Sequence, residues 1–137
     1  MISARNQVKG KIESVQEGAV NAIITLKTEG GTVVTSTISM SAVKELNLSV
    51  GKEATAVIKA TEVMIGIGEL KLSARNQFAG EIIKVEEGVV NAIVTLKTEE
   101  GLVFSSTISM SAVKELNLSV GSKATAVVKA TSVMIGI

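Results

Sequence analysis

The sequence predicts an all-β protein built from two tandem OB-like five-stranded barrels, each with one short helix. Three observations lead to this prediction. A shift of 70 positions places residues 71–137 on residues 1–67 without a gap, and 49 of the 67 aligned pairs are identical. Within each repeat, apolar and polar residues mostly alternate, as they do in half-buried strands. One short segment per repeat changes to the spacing of an amphipathic helix.

The repeats define two domains, residues 1–67 and 71–137, with only Gly68, Glu69 and Leu70 between them. Three residues are too few for a flexible linker. A repeat of this size buries a small share of its surface and is marginally stable alone, more so without Cys and with Phe as its only aromatic residue type. We therefore expect the repeats to pack against each other and against further copies of the chain.

The first half of each repeat predicts a pair of strands. Residues 20–26 alternate between two faces, as a half-buried strand does. Glu29-Gly30-Gly31 predicts a hairpin loop that leads into a strand over 32–38, because glycine readily adopts the positive φ that such loops need. The same pattern returns 70 positions later.

The second half of each repeat changes period and then returns to strand. Residues 41–47 place their apolar side chains on one side and predict a short helix. Alternation resumes over 54–60, breaks near Thr61-Glu62 and ends in a last short strand over 63–67. Each repeat is therefore predicted to contain about five strands.

The residue types exclude most enzyme chemistry. The chain has no Cys, His, Pro, Trp, Tyr or Asp. It therefore has no thiolate nucleophile, no zinc or iron–sulfur site and no imidazole to carry protons near neutral pH. Its acids are all Glu, spread singly or in pairs, which is a poor basis for a calcium or magnesium site. The sequence predicts a protein that is not an enzyme and that binds no bare metal cation.

Charge and hydropathy also argue against nucleic acid and membrane partners. Fourteen basic and thirteen acidic residues give a net charge of +1, and there is no Tyr or Trp on which bases would stack. No apolar run approaches the ~18–20 residues that cross a bilayer. The N-terminus has no apolar signal-peptide core. We expect a soluble, cytoplasmic protein.

Scarce cationic side chains mark a candidate binding site. Arg5 and Arg75 are the two Arg of the chain, and each lies in a SARN motif. A guanidinium offers five donors in a rigid fork, which suits an acceptor of fixed geometry. A plain surface charge or a salt bridge to Glu is the alternative. Ser3 and Ser73, in the same motifs, add hydroxyl donors.

Two further positions in each repeat carry polar donors. Lys59 and Lys129 follow an apolar strand just before the chain breaks direction, so each points either to solvent or to a ligand at the strand end. Ser39 and Ser109 precede the short helix, where a hydroxyl normally caps the first turn. A helix start also offers free N–H groups to an anion, and the two roles can coexist. Donors without proton-transfer groups predict binding of a tetrahedral oxyanion without covalent chemistry.

Several motifs resemble the Mop family, the molybdenum-pterin-binding proteins or molbindins, whose domain is also called TOBE. They are S-A-R-N-Q near the start of a repeat, E-G-x-V-N-A before the second strand, T-S-T-I-S before the helix, and V-K-A-T-x-V-M-I at the end. The resemblance covers nearly the whole chain. Two copies with almost no linker look like the di-Mop arrangement of this family.

The resemblance implies a fold, a ligand and an assembly. It implies an OB-like barrel per repeat, a homotrimer, and molybdate or tungstate bound without an organic cofactor for intracellular molybdenum storage and homeostasis. Carried over by motif, the oxyanion ligands are Ser3, Arg5, Ser39, Lys59 and Ala60, with the equivalents Ser73, Arg75, Ser109, Lys129 and Ala130. A possible second oxyanion site lies in the turns through Val20, Asn21, Val90 and Asn91.

The sequence departs from the family pattern in its hydroxyl groups. Relatives commonly carry a second hydroxyl at the position of Ala42 and Ala112, and Ser41 and Ser111 lie one residue earlier. Fewer hydroxyl donors imply weaker binding or more use of backbone amides. The alternative function is an oxyanion-sensing regulatory module that acts through a separate partner protein.

Overall fold

The computed structural model describes residues 2–137, so Met1, the first residue of the predicted first domain, lies outside the described part. The first repeat, residues 2–67, contains the elements β1 (Asn6–Glu17), β2 (Asn21–Lys27), β3 (Val33–Ser39), α1 (Met40–Glu45), β4 (Glu53–Ile58) and β5 (Met64–Gly66). The second repeat, residues 71–137, contains β6 (Asn76–Glu87), β7 (Asn91–Thr98), β8 (Val103–Ser109), α2 (Met110–Glu115), β9 (Lys123–Val128) and β10 (Met134–Gly136). A 3₁₀ turn precedes the last strand of each repeat, at Ala60–Glu62 and Ala130–Ser132.

The long strand β1 is shared between two neighbours. Its first half pairs with β4 and its second half with β2, both antiparallel, and the register shifts between Ile12 and Ser14. A Cβ added at Gly10 would lie 2.5 Å from the carbonyl oxygen of Lys27, so the glycine allows β2 to cross closely where the two pairings meet. The bulge and the glycine together bend β1, which a small barrel requires.

The strands form two five-stranded antiparallel sheets that confirm the predicted fold class. Their strand orders are β10-β4-β1-β2-β3 and β5-β9-β6-β7-β8. In each sheet the two end strands also contact each other, which curls the sheet toward a closed barrel. The helices lie after β3 and β8 and bury Val43 and Val113.

The last strand of each repeat belongs to the barrel of the other repeat. Strand β10 pairs with β4, where Met134 lies opposite Val57, and β5 pairs with β9 in the same register. The sequence predicts a short strand over 63–67 but not this exchange. Each barrel is therefore completed by the other repeat.

Buried contacts join the two barrels, and one of the two clusters of buried apolar residues contains side chains of both repeats. The hydroxyl of Ser36 donates to the carbonyl of Val133, and that of Ser106 donates to the carbonyl of Val63. Phe78 and Phe104 stack with their ring centroids 4.6 Å apart inside a cluster of buried residues from both repeats. The repeats thus pack against each other, as their small size predicts. No helix within residues 2–137 is long and apolar enough to cross a membrane.

Candidate functional site

The β1–β4 ladder brings the two cationic motifs of a repeat together. Asn6 lies opposite Ile58 in the ladder, Arg5 directly precedes Asn6, and Lys59 directly follows Ile58. Arg5 and Lys59 therefore lie at the same end of the ladder, and both are exposed. The pairing of Asn76 with Val128 places Arg75 and Lys129 equivalently in the second repeat.

A buried asparagine anchors each SARN motif to the other repeat. The side-chain amide of Asn6 donates to the carbonyl of Ser105 at 2.8 Å, and the backbone N–H of Ser105 donates to Asn6 Oδ1 at 2.7 Å. Asn76 makes the same pair of bonds with Thr35, both at 2.8 Å. Thr35 and Ser105 lie in β3 and β8, the end strands, so each asparagine satisfies backbone groups that no neighbouring strand reaches.

These asparagines fix the backbone beside the arginines, and they are not among the predicted site residues. Asn6 and Asn76 are each 1% exposed, and each follows an arginine directly. An amide that pairs with the N–H and C=O of one residue has a fixed orientation. The signal in the sequence was a polar residue at the buried start of a strand, repeated in both SARN motifs.

The 3₁₀ turn after β4 shapes the second half of the site. Lys59 has φ −70° and ψ 141°, and its carbonyl accepts the N–H of Glu62 at 2.9 Å. The N–H groups of Ala60 and Thr61 open the turn, and the first amides of a helical turn have no acceptor inside it. The Ala60 side chain is buried while Lys59 is exposed. An ammonium and backbone N–H groups thus lie within three consecutive residues.

The candidate cations are not paired with carboxylates. In the described part of the chain there are two ion pairs, Lys27 with Glu13 at 3.9 Å and Lys84 with Glu86 at 3.4 Å. Neither involves the arginine or the lysine of the site. The salt-bridge alternative for these arginines therefore does not describe this structure.

The serines before the helices act as caps. Ser39 Oγ accepts the N–H of Ala42 at 3.1 Å, and Ser109 Oγ accepts the N–H of Ala112 at 3.0 Å, which confirms the predicted capping role. Each hydroxyl keeps its own proton to donate elsewhere. The N–H groups that these caps bind belong to Ala42 and Ala112, the two positions that depart from the family pattern by lacking a hydroxyl.

Ser39 lies beside Val20 and Asn21 of the possible second oxyanion site and not beside Arg5 of its own repeat. It is opposite Asn21 in the β2–β3 ladder, and the N–H of Met40 donates to the carbonyl of Val20 at 2.8 Å. Val20 and Asn21 follow the C-terminal end of β1, whereas Arg5 precedes its start. The 12 residues of β1 span about 40 Å along the strand, so they separate Arg5 from Val20 and Asn21.

The other repeat brings its serine nearer to Arg5. Ser109 follows Ser105, the partner of Asn6, by four residues along β8, or about 13 Å. Ser39 is related to Asn76 and Arg75 in the same way. Within residues 2–137, neither serine hydroxyl is hydrogen-bonded to an arginine.

Two cavities lie outside the candidate residues. One of about 490 Å³ is lined by residues that include Gly30, Gln77, Phe78 and Glu100. Another of about 860 Å³ is lined by residues that include Lys9, Lys11 and Lys27. In residues 2–137, none of the proposed oxyanion ligands lines either cavity. Neither cavity is therefore the proposed oxyanion site.

Comparisons with known proteins agree with these features. The TOBE domain family matches residues 2–65 and 72–135. The probable molybdenum-pterin-binding protein of Haemophilus influenzae is 62% identical over 66 residues, which are 48% of this chain and 96% of that protein. The molybdenum transport protein ModE of Herbaspirillum seropedicae is 36% identical over 137 residues, which are 98% of this chain. This chain spans about half of that protein, 51% of its length.

A solved structure matches the whole arrangement. The cytoplasmic molybdate-binding protein ModG, in a form with molybdate bound, superposes with a TM-score of 0.96 and 39% sequence identity. The match covers 99% of this chain and 98% of that chain.

Proposed function

The chain belongs to the TOBE domain family, and from this membership we propose that it binds molybdate or tungstate. The proposal rests on the position of Arg5 and Lys59 at the same end of one ladder, and of Arg75 and Lys129 at the same end of the other. In residues 2–137, none of these four cations is paired with a carboxylate. The fold around them matches that of a molybdate-bound protein along its whole length.

The chemistry of the proposed ligands suits a tetrahedral dianion. Molybdate presents acceptor oxygens on all four corners, and the guanidinium, the ammonium, the Ser3 hydroxyl and the Ala60 amide are all donors. One arginine and one lysine balance a charge of minus two. No group here transfers a proton near neutral pH, so the oxyanion is held and released unchanged, without catalysis and without an organic cofactor.

A homotrimer, the assembly that the family resemblance implies, brings separated groups together. Val20, Val89 and Val90 are 74%, 99% and 72% exposed, beside Asn21 and Asn91 of the possible second site. Apolar side chains this exposed favour contact with another chain. We propose that Ser39 and Ser109, distant from the arginine within their own repeat, reach the arginine of a neighbouring chain.

The proposed role is intracellular storage and homeostasis of molybdenum in the cytoplasm. ModG, which matches over its whole length, is described as cytoplasmic. The alternative is an oxyanion-sensing module that acts through a separate partner, and the similarity to half of ModE supports it. Binding of molybdate would be common to both roles, whereas a change in affinity for a partner on molybdate addition would be specific to sensing.

Native mass spectrometry of the full chain tests the proposal. The protein is sprayed after incubation with molybdate, tungstate or sulfate, which gives subunit number, bound ions and selectivity in one measurement. We expect a trimer that retains molybdate and tungstate and loses sulfate. Retention of neither molybdate nor tungstate would refute the function, and a monomer that retains them would refute the shared site.

A further inference from the structure

The two repeats face each other through reciprocal contacts. Asn6 binds Ser105 as Asn76 binds Thr35, and β5 joins β9 as β10 joins β4. Each residue of one such contact is 70 positions from its counterpart in the other, so the repeats are related by an approximate twofold axis. Near such an axis, a residue meets its own equivalent in the other repeat.

The first self-facing position is the hairpin residue Gly30, whose equivalent is Glu100. The Glu100 carboxylate accepts the hydroxyls of Thr28 at 2.7 Å and Thr32 at 2.5 Å, and the N–H of Thr32 at 3.3 Å. A Cβ added at Gly30 would lie 2.2 Å from Cγ and Cδ of Glu100. Glycine in one repeat thus leaves the space that glutamate of the other repeat occupies.

The second self-facing position is in the 3₁₀ turns, where Glu62 is the equivalent of Ser132. The hydroxyl of Ser132 donates to Glu62 Oε2 at 3.1 Å. Here the carboxylate belongs to the first repeat and its neutral partner to the second, which reverses the arrangement in the hairpins.

We propose that these two positions determine which repeats pair: Gly30 with Glu100 and Glu62 with Ser132 fit the first repeat to the second, and neither repeat to another copy of itself. A pair of first repeats would place Glu62 against Glu62. A pair of second repeats would place Glu100 against Glu100. Each like pair therefore brings two carboxylates together, and the unlike pair brings none together.

Within residues 2–137, no cation is paired with Glu100. The partners of Glu100 are hydroxyls and N–H groups, and Glu99 is the charged residue that lines the same cavity. Hydrogen bonds from Thr32 and then Thr28 hold the pKa of Glu100 below its usual range, so the group is charged at neutral pH. Two such carboxylates in contact repel each other.

Strand exchange makes this selectivity consequential. Because β5 and β10 leave their own repeats, the repeats of two chains could exchange strands in the same way as the two repeats of one chain do. Pairing of unlike repeats keeps the adjacent, tethered repeats together.

The test uses charge duplication and exchange in the full chain. Gly30→Glu and Ser132→Glu each place a carboxylate on both sides of one contact, and we expect each to lower the melting temperature by roughly 3–8 °C. Glu62→Ser with Ser132→Glu moves one pair to the opposite repeats. Gly30→Glu with Glu100→Gly moves the other, together with Thr32→Leu and Leu102→Thr, because Leu102 occupies in the second repeat the position of Thr32, whose hydroxyl donates to Glu100. Because the axis relates the repeats, both exchanges should melt within about 2 °C of the unaltered protein.

A neutral variant of matched length separates charge from size at position 132. Ser132→Gln introduces the length of Glu without its charge and should lower the melting temperature less than half as much as Ser132→Glu. Single variants that melt like the unaltered protein, exchanges that stay as unstable as the single variants, or equal effects of Gln and Glu at position 132 would each overturn the proposal.

A refolding experiment tests pairing itself. Glu62→Ser with Glu100→Gly makes both positions self-compatible, since Gly then faces Gly and Ser faces Ser in every pairing. After refolding from urea at high concentration, we expect severalfold more assemblies larger than the original by native mass spectrometry. A fraction equal to that of the unaltered protein would contradict the assigned role.

Discussion

The buried asparagine of each SARN motif supplies the hydrogen bonds that a neighbouring strand would otherwise make to the backbone of β3 or β8. Asn76 pairs with both backbone groups of Thr35, which is itself buried, whereas Asn6 pairs with Ser105, which is half-buried. Without the side chain, a buried N–H and C=O lose their partners, and a buried unsatisfied group costs about 1–3 kcal/mol. The residue that places the arginine is therefore also a structural link between the repeats.

Asn76→Ala should lower the free energy of unfolding by roughly 2–4 kcal/mol, because two buried backbone groups lose their bonds. Asn6→Ala should cost less, since water reaches Ser105 more easily. Urea unfolding followed by circular dichroism measures both, with the exposed Gln16→Ala as control. Equal, small losses for all three variants would show that these bonds do not stabilise the pairing of the repeats.

Replacing both arginines tests the proposed ligand set. Arg5→Gln with Arg75→Gln removes one charged donor per site, and such a hydrogen bond is worth about 1.5–3 kcal/mol. We expect molybdate affinity to fall roughly 10- to 100-fold with unchanged unfolding, measured by titration calorimetry. Lys44→Gln with Lys114→Gln, on the exposed sides of the helices, is the matched control and should bind normally. Equal binding by both double variants would exclude the arginines.

Glu100 predicts a pH dependence of stability. Hydrogen bonds hold its pKa in the folded protein below the usual value of about 4.5, so its stabilising effect is complete above that pH. The effect is lost as the pH falls below 4.5 and through the folded pKa. Urea midpoints measured from pH 7 to pH 3 should fall more steeply for the unaltered protein than for Glu100→Gln. Parallel curves would show that this carboxylate does not contribute.

At the scale of elements, the exchanged strands are the least expected feature. Strands β5 and β10 have three residues each and carry the same sequence, Met-Ile-Gly. They pair with β9 and β4, whose residues from Ala124 to Val127 match those from Ala54 to Val57. The first repeat thus depends on residues 134–136 for its outer strand.

Deletion of residues 134–137 tests this dependence. It removes β10, so the backbone of β4 near Thr55 and Val57 loses its neighbour. We expect amide hydrogen exchange to accelerate in β4, 80 residues before the deletion, and to change little in β9, which keeps β5 as its neighbour. Faster exchange in β9 with a protected β4 would show that each repeat keeps its own last strand.

The elements were predictable from the sequence where their signal is local. Alternation over 20–26 and 32–38 identified β2 and β3 to within one residue at each end. This was possible because successive side chains of a strand lie on opposite faces, so buried and exposed positions alternate along the sequence. The helix begins at Met40 and ends at Glu45, earlier than predicted, because Asn47 has a φ of 51° and stops it. The partner of the last strand was not predictable, since identical segments give the same pattern with or without exchange.

The sequence predicted the cationic residues of the candidate site but not the positions of all the other proposed ligands. The SARN and KAT motifs identified Arg5 and Lys59, and the ladder places them together. The resemblance implied Ser39 as a ligand in the same set, but pairing with β2 places it beside Asn21. The role of Asn6 depends on a contact with a residue 99 positions away, which no local pattern reports.

At the scale of the whole molecule, the exposed valines indicate where chains meet. Val20 and Val90 lie in turns beside the capped helices and are mostly exposed. Burial of such side chains is worth about 1.5–3 kcal/mol each relative to exposure, and a symmetric assembly repeats the gain in every chain. The proposed trimer would therefore be sensitive to charge at these turns.

Val20→Lys with Val90→Lys should convert the proposed trimer to a monomer, because a buried ammonium without a partner is costly. Light scattering coupled to size-exclusion chromatography measures the mass, and Val50→Lys with Val120→Lys, equally exposed in another loop, is the control. We expect the first variant to lose oxyanion retention together with assembly. A trimer that persists in the first variant would place the contact elsewhere.

The pairing of β10 with β4 also sets the order of events during synthesis. Gly136 is the partner of Thr55, so the first barrel lacks an outer strand until residues 134–136 have been synthesised. A contact across so much chain carries a large loop-closure cost and slows folding. On the ribosome, the edge of β4 in the first repeat therefore stays unpaired until residues 134–136 emerge.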